Sequence, residues 1–357
     1  MRYPRGVMRT GLGVLVGGSQ YVRASTGQPV FALDLLDLEA LRVHSVPLSF
    51  LAHGFSTLPE RATTAAVFEK RGPNAAVVEL LQGNVRPIVA GPRRAFYGHG
   101  LFSPDGTQLY AVEIDTDTHE GMLSVRDAET LLVTGEIATG GKNPHDALLL
   151  EDGKTLVVTH GGGALGSDAP PSVAFLDLPS RRVIDRVAIP GENINAGHVA
   201  VGKDGSVAVV SAPRDGLPAA TSLGGLSLRH GPSGPLERME EPRGVTTRMV
   251  GESLSVAIHE ATGVVAATHP YGGLLTLWSL AERRMLRSFE LVSARGVTVT
   301  LDGRYFAVSH GLGGSLSLLD PTTLELVVGE TIEIGRFTGS HVYAWRMPVG
   351  AAFEAPT

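Results

Sequence analysis

The chain contains no cysteine among its 357 residues. This absence excludes disulfides, thiolate metal sites and cysteine nucleophiles. The sequence also lacks an excess of positive charge, because its formal net charge is −6 and its arginines are scattered rather than clustered. We therefore expect no nucleic-acid partner.

Long apolar runs are missing as well. No stretch approaches the 18 apolar residues that a transmembrane helix needs, so we expect no membrane-spanning segment. Near the N-terminus Arg2, Arg5 and Arg9 precede an apolar run, but that run covers only residues 11–18 and no small-residue cleavage pattern follows it. Without an export signal, the default expectation is a cytoplasmic protein.

Glycine and proline are plentiful, with 45 and 22 residues, and they punctuate a recurring β pattern. In residues 99–113 a Ser-Pro-Asp-Gly turn separates two apolar runs, which predicts a hairpin because proline presets φ and glycine tolerates positive φ. Copies of this phrase start near positions 53, 99, 145, 198, 254 and 296. A period of roughly 40 to 50 residues made of strands and turns is typical of a β-propeller with one blade per repeat.

The ends of the chain predict how the ring closes. Residues 12–16, 30–36 and 41–48 supply three strands of a blade that lacks its innermost strand, and residues 339–345 have the pattern of the missing one. Pairing the two ends in one blade removes exposed sheet edges. We therefore predict an all-β, seven-bladed propeller of four-stranded blades. We expect an N-terminal tail (residues 1–9), a single propeller domain (residues 10–346) and a C-terminal tail (residues 347–357).

The repeat resembles the YVTN-type surface-layer propeller repeat, which is WD40-like. The features that carry the resemblance are the opening His-Gly or Pro-His, the Ser-Pro-Asp-Gly turn and the closing Val-Arg-Asp-Ala-Glu-Thr. Residues 96–106, 144–146, 161–163 and 266–273 are similar to a bacterial propeller family that is usually exported by the twin-arginine route and found beside imelysin-type iron-uptake proteins. That resemblance implies a periplasmic protein, although the chain lacks a twin-arginine N-terminus. It is also similar in outline to periplasmic zinc-chaperone propellers, which hold metal on histidines.

Most histidines occupy equivalent positions of the repeat. Five open the innermost strand of a blade, where all such positions surround one mouth of the central channel: His53, His99, His145, His198 and His341. A second set follows because the next strand returns to the same face: His160, His269 and His310, with Glu113, Asp115 and His119 in the matching loop of the third blade. Neutral imidazoles from neighbouring blades suit a late first-row metal, so we predict a zinc, copper or iron site on the first five. The second set supplies further candidates to complete or orient the ligand shell.

The function predicted from this pattern is metal handling or delivery rather than turnover, with a metal ion and a metal-transport or other protein as partners. Two alternatives stay open. A metal-dependent, lactonase-like hydrolase would leave one coordination position for water. A metal-free protein-interaction scaffold would bind another protein through its loops, and its imidazoles would only bond loop carbonyls. The sequence contains neither a His-Glu-x-x-His motif nor a Gly-x-Ser-x-Gly nucleophile elbow.

Overall fold

A computed structural model of the chain describes residues 10–23, 25–59, 61–327, 331–351 and 353, so the tail predicted for residues 1–9 lies outside the described part.

Asp-Gly turns shape the hairpin between the first two strands of four blades. In the Ser103 to Gly106 turn, the Asp105 carboxylate accepts hydrogen bonds from the Ser103 hydroxyl and the Thr107 amide at 2.6 and 3.1 Å. Gly106 has a φ of 68°, which a side chain disfavours. The turn recurs at Asp152, Asp204 and Asp302, each followed by a left-handed glycine.

The strands group into seven antiparallel sheets, one for each blade. Blade 1 takes β1 (Val14–Val22), β2 (Pro29–Asp37) and β3 (Arg42–Leu48) from the start of the chain. Blade 2 consists of β4 (Ala52–Leu58), β5 (Arg61–Glu69), β6 (Asn74–Glu79) and β7 (Val85–Val89). Blade 3 consists of β8 (Arg94–Phe102), β9 (Gln108–Asp115), β10 (Glu120–Asp127) and β11 (Val133–Lys142). Blade 4 consists of β12 (Pro144–Leu149), β13 (Thr155–His160), β14 (Ser172–Asp177) and β15 (Arg182–Ala188).

The second half of the chain completes the ring. Blade 5 consists of β16 (Val199–Val201), β17 (Val207–Ser211), β18 (Gly225–Arg229) and β19 (Glu237–Arg238), followed by the short helix α1 (Arg243–Thr246). Blade 6 consists of β20 (Val256–His259), β21 (Val264–His269), β22 (Leu274–Ser279) and β23 (Arg284–Glu290). Blade 7 consists of β24 (Val297–Val299), β25 (Phe306–His310), β26 (Ser315–Asp320) and an outer edge split into β27 (Glu325–Leu326) and β28 (Ile332–Glu333). The last strand, β29 (Val342–Trp345), returns to blade 1.

Pairing of the last strand with the first closes the ring. Strand β29 runs antiparallel to β1, with Val342 opposite Gly17 and Trp345 opposite Val14. The sheet order β29-β1-β2-β3 is the one predicted from the two ends of the sequence, and the prediction of seven four-stranded blades is confirmed.

The core lies between the blades. Seven clusters of buried apolar side chains occupy the seven blade interfaces of the described chain. Trp278, for example, is completely buried between blades 5 and 6, and Trp345 packs between blades 1 and 2. Because each blade buries one sheet face against each neighbour, removing a blade would expose two apolar faces.

Two features lie at the margins of the propeller. Beyond β29, Met347 and Phe353 pack against the cluster between blades 1 and 2, and the Phe353 ring stacks on His44 at 5.3 Å. Among the described residues no helix is long and apolar enough to cross a bilayer.

Candidate metal centre

Seven equivalent positions on the innermost strands form a ring at the channel; six lie at or next to the strand start, and His99 lies within β8, beside a bulge between Phe96 and Gly100. In order of the blades they are His341, His53, His99, His145, His198, Ser255 and Gly296. Five positions therefore carry histidine, from five consecutive blades. At the seventh position, Gly296 excludes a histidine, because a β-carbon there would lie 2.5 Å from the Val342 amide nitrogen, which is too close for any side chain.

The five imidazoles meet in the channel and form what we call the histidine cluster. Nine of the ten ring pairs have centroids 4.0–5.5 Å apart, with ring planes inclined by 47–76°. Room for this packing comes partly from Gly98, where a β-carbon would lie 2.6 Å from the His53 ring. The prediction that these five rings converge at one opening agrees with this geometry.

His198 is the centre of the cluster. Its Nε2 lies 3.2 Å from Nε2 of His53 and 2.8 Å from Nε2 of His341. One imidazole nitrogen carries either a proton or a lone pair, so it cannot donate to one neighbour while accepting from the other. If it accepts from both, the proton sits on His198 Nδ1, which has no hydrogen-bond partner among the described residues. In either neutral tautomer of His198, the cluster therefore contains a nitrogen that has no hydrogen-bond partner among the described residues.

Asp146 orients His99. Its Oδ1 lies 3.3 Å from His99 Nδ1, and its Oδ2 accepts a hydrogen bond of 3.0 Å from the Val199 amide. With the proton on Nδ1 facing the carboxylate, the Nε2 lone pair of His99 faces the cluster, where that atom has no described hydrogen-bond partner. A carboxylate behind a histidine in this way is the usual arrangement at protein metal sites.

The spacing of the nitrogens is close to what a metal needs. His53, His99, His145 and His198 each offer one nitrogen within 4.8 Å of all the others, and His341 adds a fifth beside His198. Nitrogens bound tetrahedrally at 2.0–2.1 Å would be about 3.3 Å apart. Small side-chain movements would thus bring the set into a coordination shell.

Burial keeps the cluster uncharged. Each of the five rings is only 4–7% exposed, and loss of solvation lowers every one of their pKa values from the ordinary value of histidine. For His53 and His145 the neighbouring imidazoles and the Lys70 ammonium lower the pKa further. Neutral imidazoles at neutral pH retain the lone pairs that bind metals.

Three cavities adjoin the cluster: one of about 230 Å³ that is lined by His53, and two larger ones. The first of the larger two, of about 270 Å³, lies where second strands end, and His145 is the member of the cluster that lines it; we call it the vestibule. The second, of about 310 Å³, runs along the innermost strands and is lined by His99, His198 and His341. The histidine cluster thus separates an outer vestibule from the channel.

An ion pair crosses the vestibule. Lys70 follows β5 in blade 2 and Glu252 precedes β20 in blade 6, and their charged groups are 3.0 Å apart. The two blades lie on nearly opposite sides of a seven-membered ring. Both side chains are about one-third exposed, and both line the vestibule.

The second set of predicted histidines lies inside the blades. His269 contacts the hydroxyls of Ser253 and Thr276 at 2.8 and 2.9 Å. His160 contacts Thr139 at 2.9 Å, and His310 contacts Ser317 at 2.9 Å. Burial lowers the pKa of His160 and of His269 to about 3. These three rings bond within their own sheets or to the adjacent blade, rather than to the histidine cluster.

The other members of that set also have local partners. Glu113 binds the Ser124 hydroxyl and, at 2.9 Å, the Arg126 guanidinium, all within blade 3. Asp115 accepts hydrogen bonds from the amides of residues 117 and 118 and pairs with Arg94. The exposed His119 lies 3.1 Å from Asn143 Oδ1. The carboxylate that reaches the cluster is instead Asp146, which the sequence shows only as the neighbour of His145.

The fold and the cluster together define a seven-bladed β-propeller with convergent histidines in its channel. The chain belongs to the family described as "Protein of unknown function (DUF1513)", which it matches over residues 46–328. No curated protein matches it in sequence.

Solved structures are similar in fold. A chain of Kuenenia stuttgartiensis hydrazine synthase is 15% identical, with a TM-score of 0.65 over 91% of this chain and 100% of that one. A chain of the mitotic checkpoint complex is 12% identical, with a TM-score of 0.57 over 79% of this chain and 77% of that one. At such identities the likeness concerns the fold alone, since one propeller architecture hosts many functions.

Proposed function

We propose that the protein binds one late first-row transition metal ion at the histidine cluster and holds or delivers it. The observation that carries this proposal is the convergence of five buried imidazoles, two of which, at His99 Nε2 and His198 Nδ1, have a nitrogen without a partner among the described residues. Burying imidazole nitrogens without hydrogen bonds costs free energy, and a metal ion would satisfy all of them at once.

Zinc, copper and iron all fit this ligand set. Imidazole suits each of them, and the general affinity order favours copper over zinc. The resemblance to an exported family found beside iron-uptake proteins adds iron to the candidates; export and that association remain predictions.

Metal binding is favoured over hydrolysis because the nearby carboxylate already has partners for both of its oxygens. A hydrolase needs a group that is free to take a proton from metal-bound water. Asp146, the carboxylate in contact with the cluster, is engaged by His99 and by the Val199 amide. Access from the vestibule to His145 and the presence of Asp215 in the same cavity are features that favour the hydrolase.

The test is metal content. Wild-type protein and a His99→Ala, His145→Ala double variant are purified, exposed to equal concentrations of zinc, copper or ferrous iron, and analysed for bound metal after desalting. We expect about one ion per wild-type chain and a loss of stoichiometric binding in the double variant. A His119→Ala variant is the control, because that exposed histidine lies on the same face outside the cluster. Equal metal content in wild type and double variant would refute the proposal.

A further inference from the structure

The vestibule contains a positioned cation beside the histidine cluster. The Arg71 guanidinium lies 5.1 Å from the centre of the Tyr97 ring, and the Tyr97 hydroxyl donates a hydrogen bond of 3.2 Å to Asn143 Oδ1. All three residues line the same cavity as His145. Tyr97 is therefore fixed at both its ring and its hydroxyl, and it holds the guanidinium over the cavity.

Arg71 has no carboxylate partner. Within the described part of the chain no acidic oxygen lies within 4.0 Å of its guanidinium, whereas Lys70 next to it is paired with Glu252. Arg71 also has a φ of 57°, a left-handed conformation that residues with a β-carbon seldom adopt.

A metal in the histidine cluster would need an anion. Five neutral imidazoles supply no negative charge, and the Asp146 carboxylate behind His99 offsets at most one of the two charges of a divalent ion in this buried site. The nearest carboxylates are engaged, Asp146 by His99 and Glu252 by Lys70. The remaining acid in the vestibule, Asp215, would repel an anion in the absence of metal. Anion binding at this place should therefore depend on the metal.

We propose that the vestibule binds a small di- or tricarboxylate, with one carboxylate on Arg71 and another on the metal beside His145. Arginine suits this role because its planar guanidinium matches a carboxylate with two parallel hydrogen bonds. The cavity volume of about 270 Å³ is below the range of roughly 300–1,000 Å³ that accommodates drug-sized ligands, so it suits a small anion rather than a large chelator. This inference rests on the proposed metal site.

The experiment uses cobalt as a spectroscopic metal and citrate as the anion. Wild-type protein is loaded with Co²⁺, citrate is added stepwise, and the visible absorption of the bound cobalt is recorded. We expect a saturable spectral change in which cobalt stays bound to the protein. An Arg71→Gln variant should bind Co²⁺ alone as wild type does, but bind citrate at least tenfold more weakly.

Two controls isolate the role of Arg71. Arg93→Gln removes another arginine, one that is exposed and pairs loosely with Asp117 at 3.9 Å, and it should leave citrate binding unchanged. Acetate cannot span Arg71 and the metal, so it should bind at least tenfold more weakly than citrate.

The outcomes separate the two proposals. Cobalt binding with no citrate response, removal of cobalt by citrate, or equal citrate affinity in wild type and Arg71→Gln would overturn this inference alone. Failure of wild-type protein to bind cobalt, zinc, copper or iron would overturn the metal site and this inference together.

Discussion

The histidine cluster and the histidines inside the blades are made of the same residue in similarly buried surroundings, yet they have different partners. His269 has a hydroxyl on each ring nitrogen, from Ser253 and Thr276. His99 and His198 each keep a buried nitrogen that no described residue satisfies, and among the histidines inside the blades His160 Nδ1 is also unsatisfied. Burial and a lowered pKa are common to both groups, so neither property identifies a metal site by itself. What distinguishes the cluster is that its nitrogens face one another.

We expect His198→Ala to have the largest effect, and that effect is on metal affinity. Because His198 Nε2 lies within 3.2 Å of two other Nε2 atoms, its removal deletes the centre of the ligand set. We expect metal affinity to fall by about 100-fold or more, since losing an outer-shell partner alone costs 10- to 100-fold at metal sites. Calorimetric titration with zinc measures this, with circular dichroism to verify the fold. Unchanged affinity would show that His198 is not a ligand.

His269→Ala should lower the stability of the fold without changing metal binding. The variant loses two buried hydrogen bonds and leaves a cavity, so we expect the free energy of unfolding to drop by about 2 kcal/mol. Metal stoichiometry should remain that of wild type. Urea denaturation of the metal-free proteins gives the first quantity and elemental analysis the second. Loss of metal from a folded His269→Ala protein would contradict the prediction that only the histidine cluster binds metal.

The smallest of these effects is expected from Asp146→Asn. An amide oxygen can still accept from the Val199 amide, but the negative charge behind His99 is lost. We expect metal affinity to fall about tenfold, the low end of the range for second-shell changes. Competition with a chromophoric chelator measures it, and Asp127→Asn, at an exposed turn of blade 3, is the matched control. A variant with wild-type affinity would contradict the orienting role of Asp146.

Periodicity explains why much of this architecture is predictable from the sequence. A residue at a fixed place in a repeat must occupy a fixed place around the ring, so His53 and His198 meet although they are 145 residues apart. The same reasoning places residues 339–345 beside the N-terminal strands. Alternation and turn chemistry carry this information locally in each blade.

Contacts between unlike positions of the repeat are less predictable. Asp146 reaches His99 from the next blade, and Lys70 reaches Glu252 across the vestibule, so neither pair has a sequence spacing that marks it. Glu113 and Asp115, which the repeat register places near the ligand shell, have nearer partners within blade 3. The turn that begins at Asp115 reads Asp-Thr-Asp-Thr, which favours bonding of the first carboxylate to the backbone two residues on.

Closure of the ring by β29 has a consequence for assembly of the cluster. His341 directly precedes that strand, which is the last of the propeller to be synthesised. The four other imidazoles are present in a chain whose ends have not yet met, but the fifth arrives only when β29 pairs with β1. If the proposed metal site uses all five imidazoles, a nascent or nicked chain in which β29 has not paired with β1 would bind the metal less tightly than an intact one.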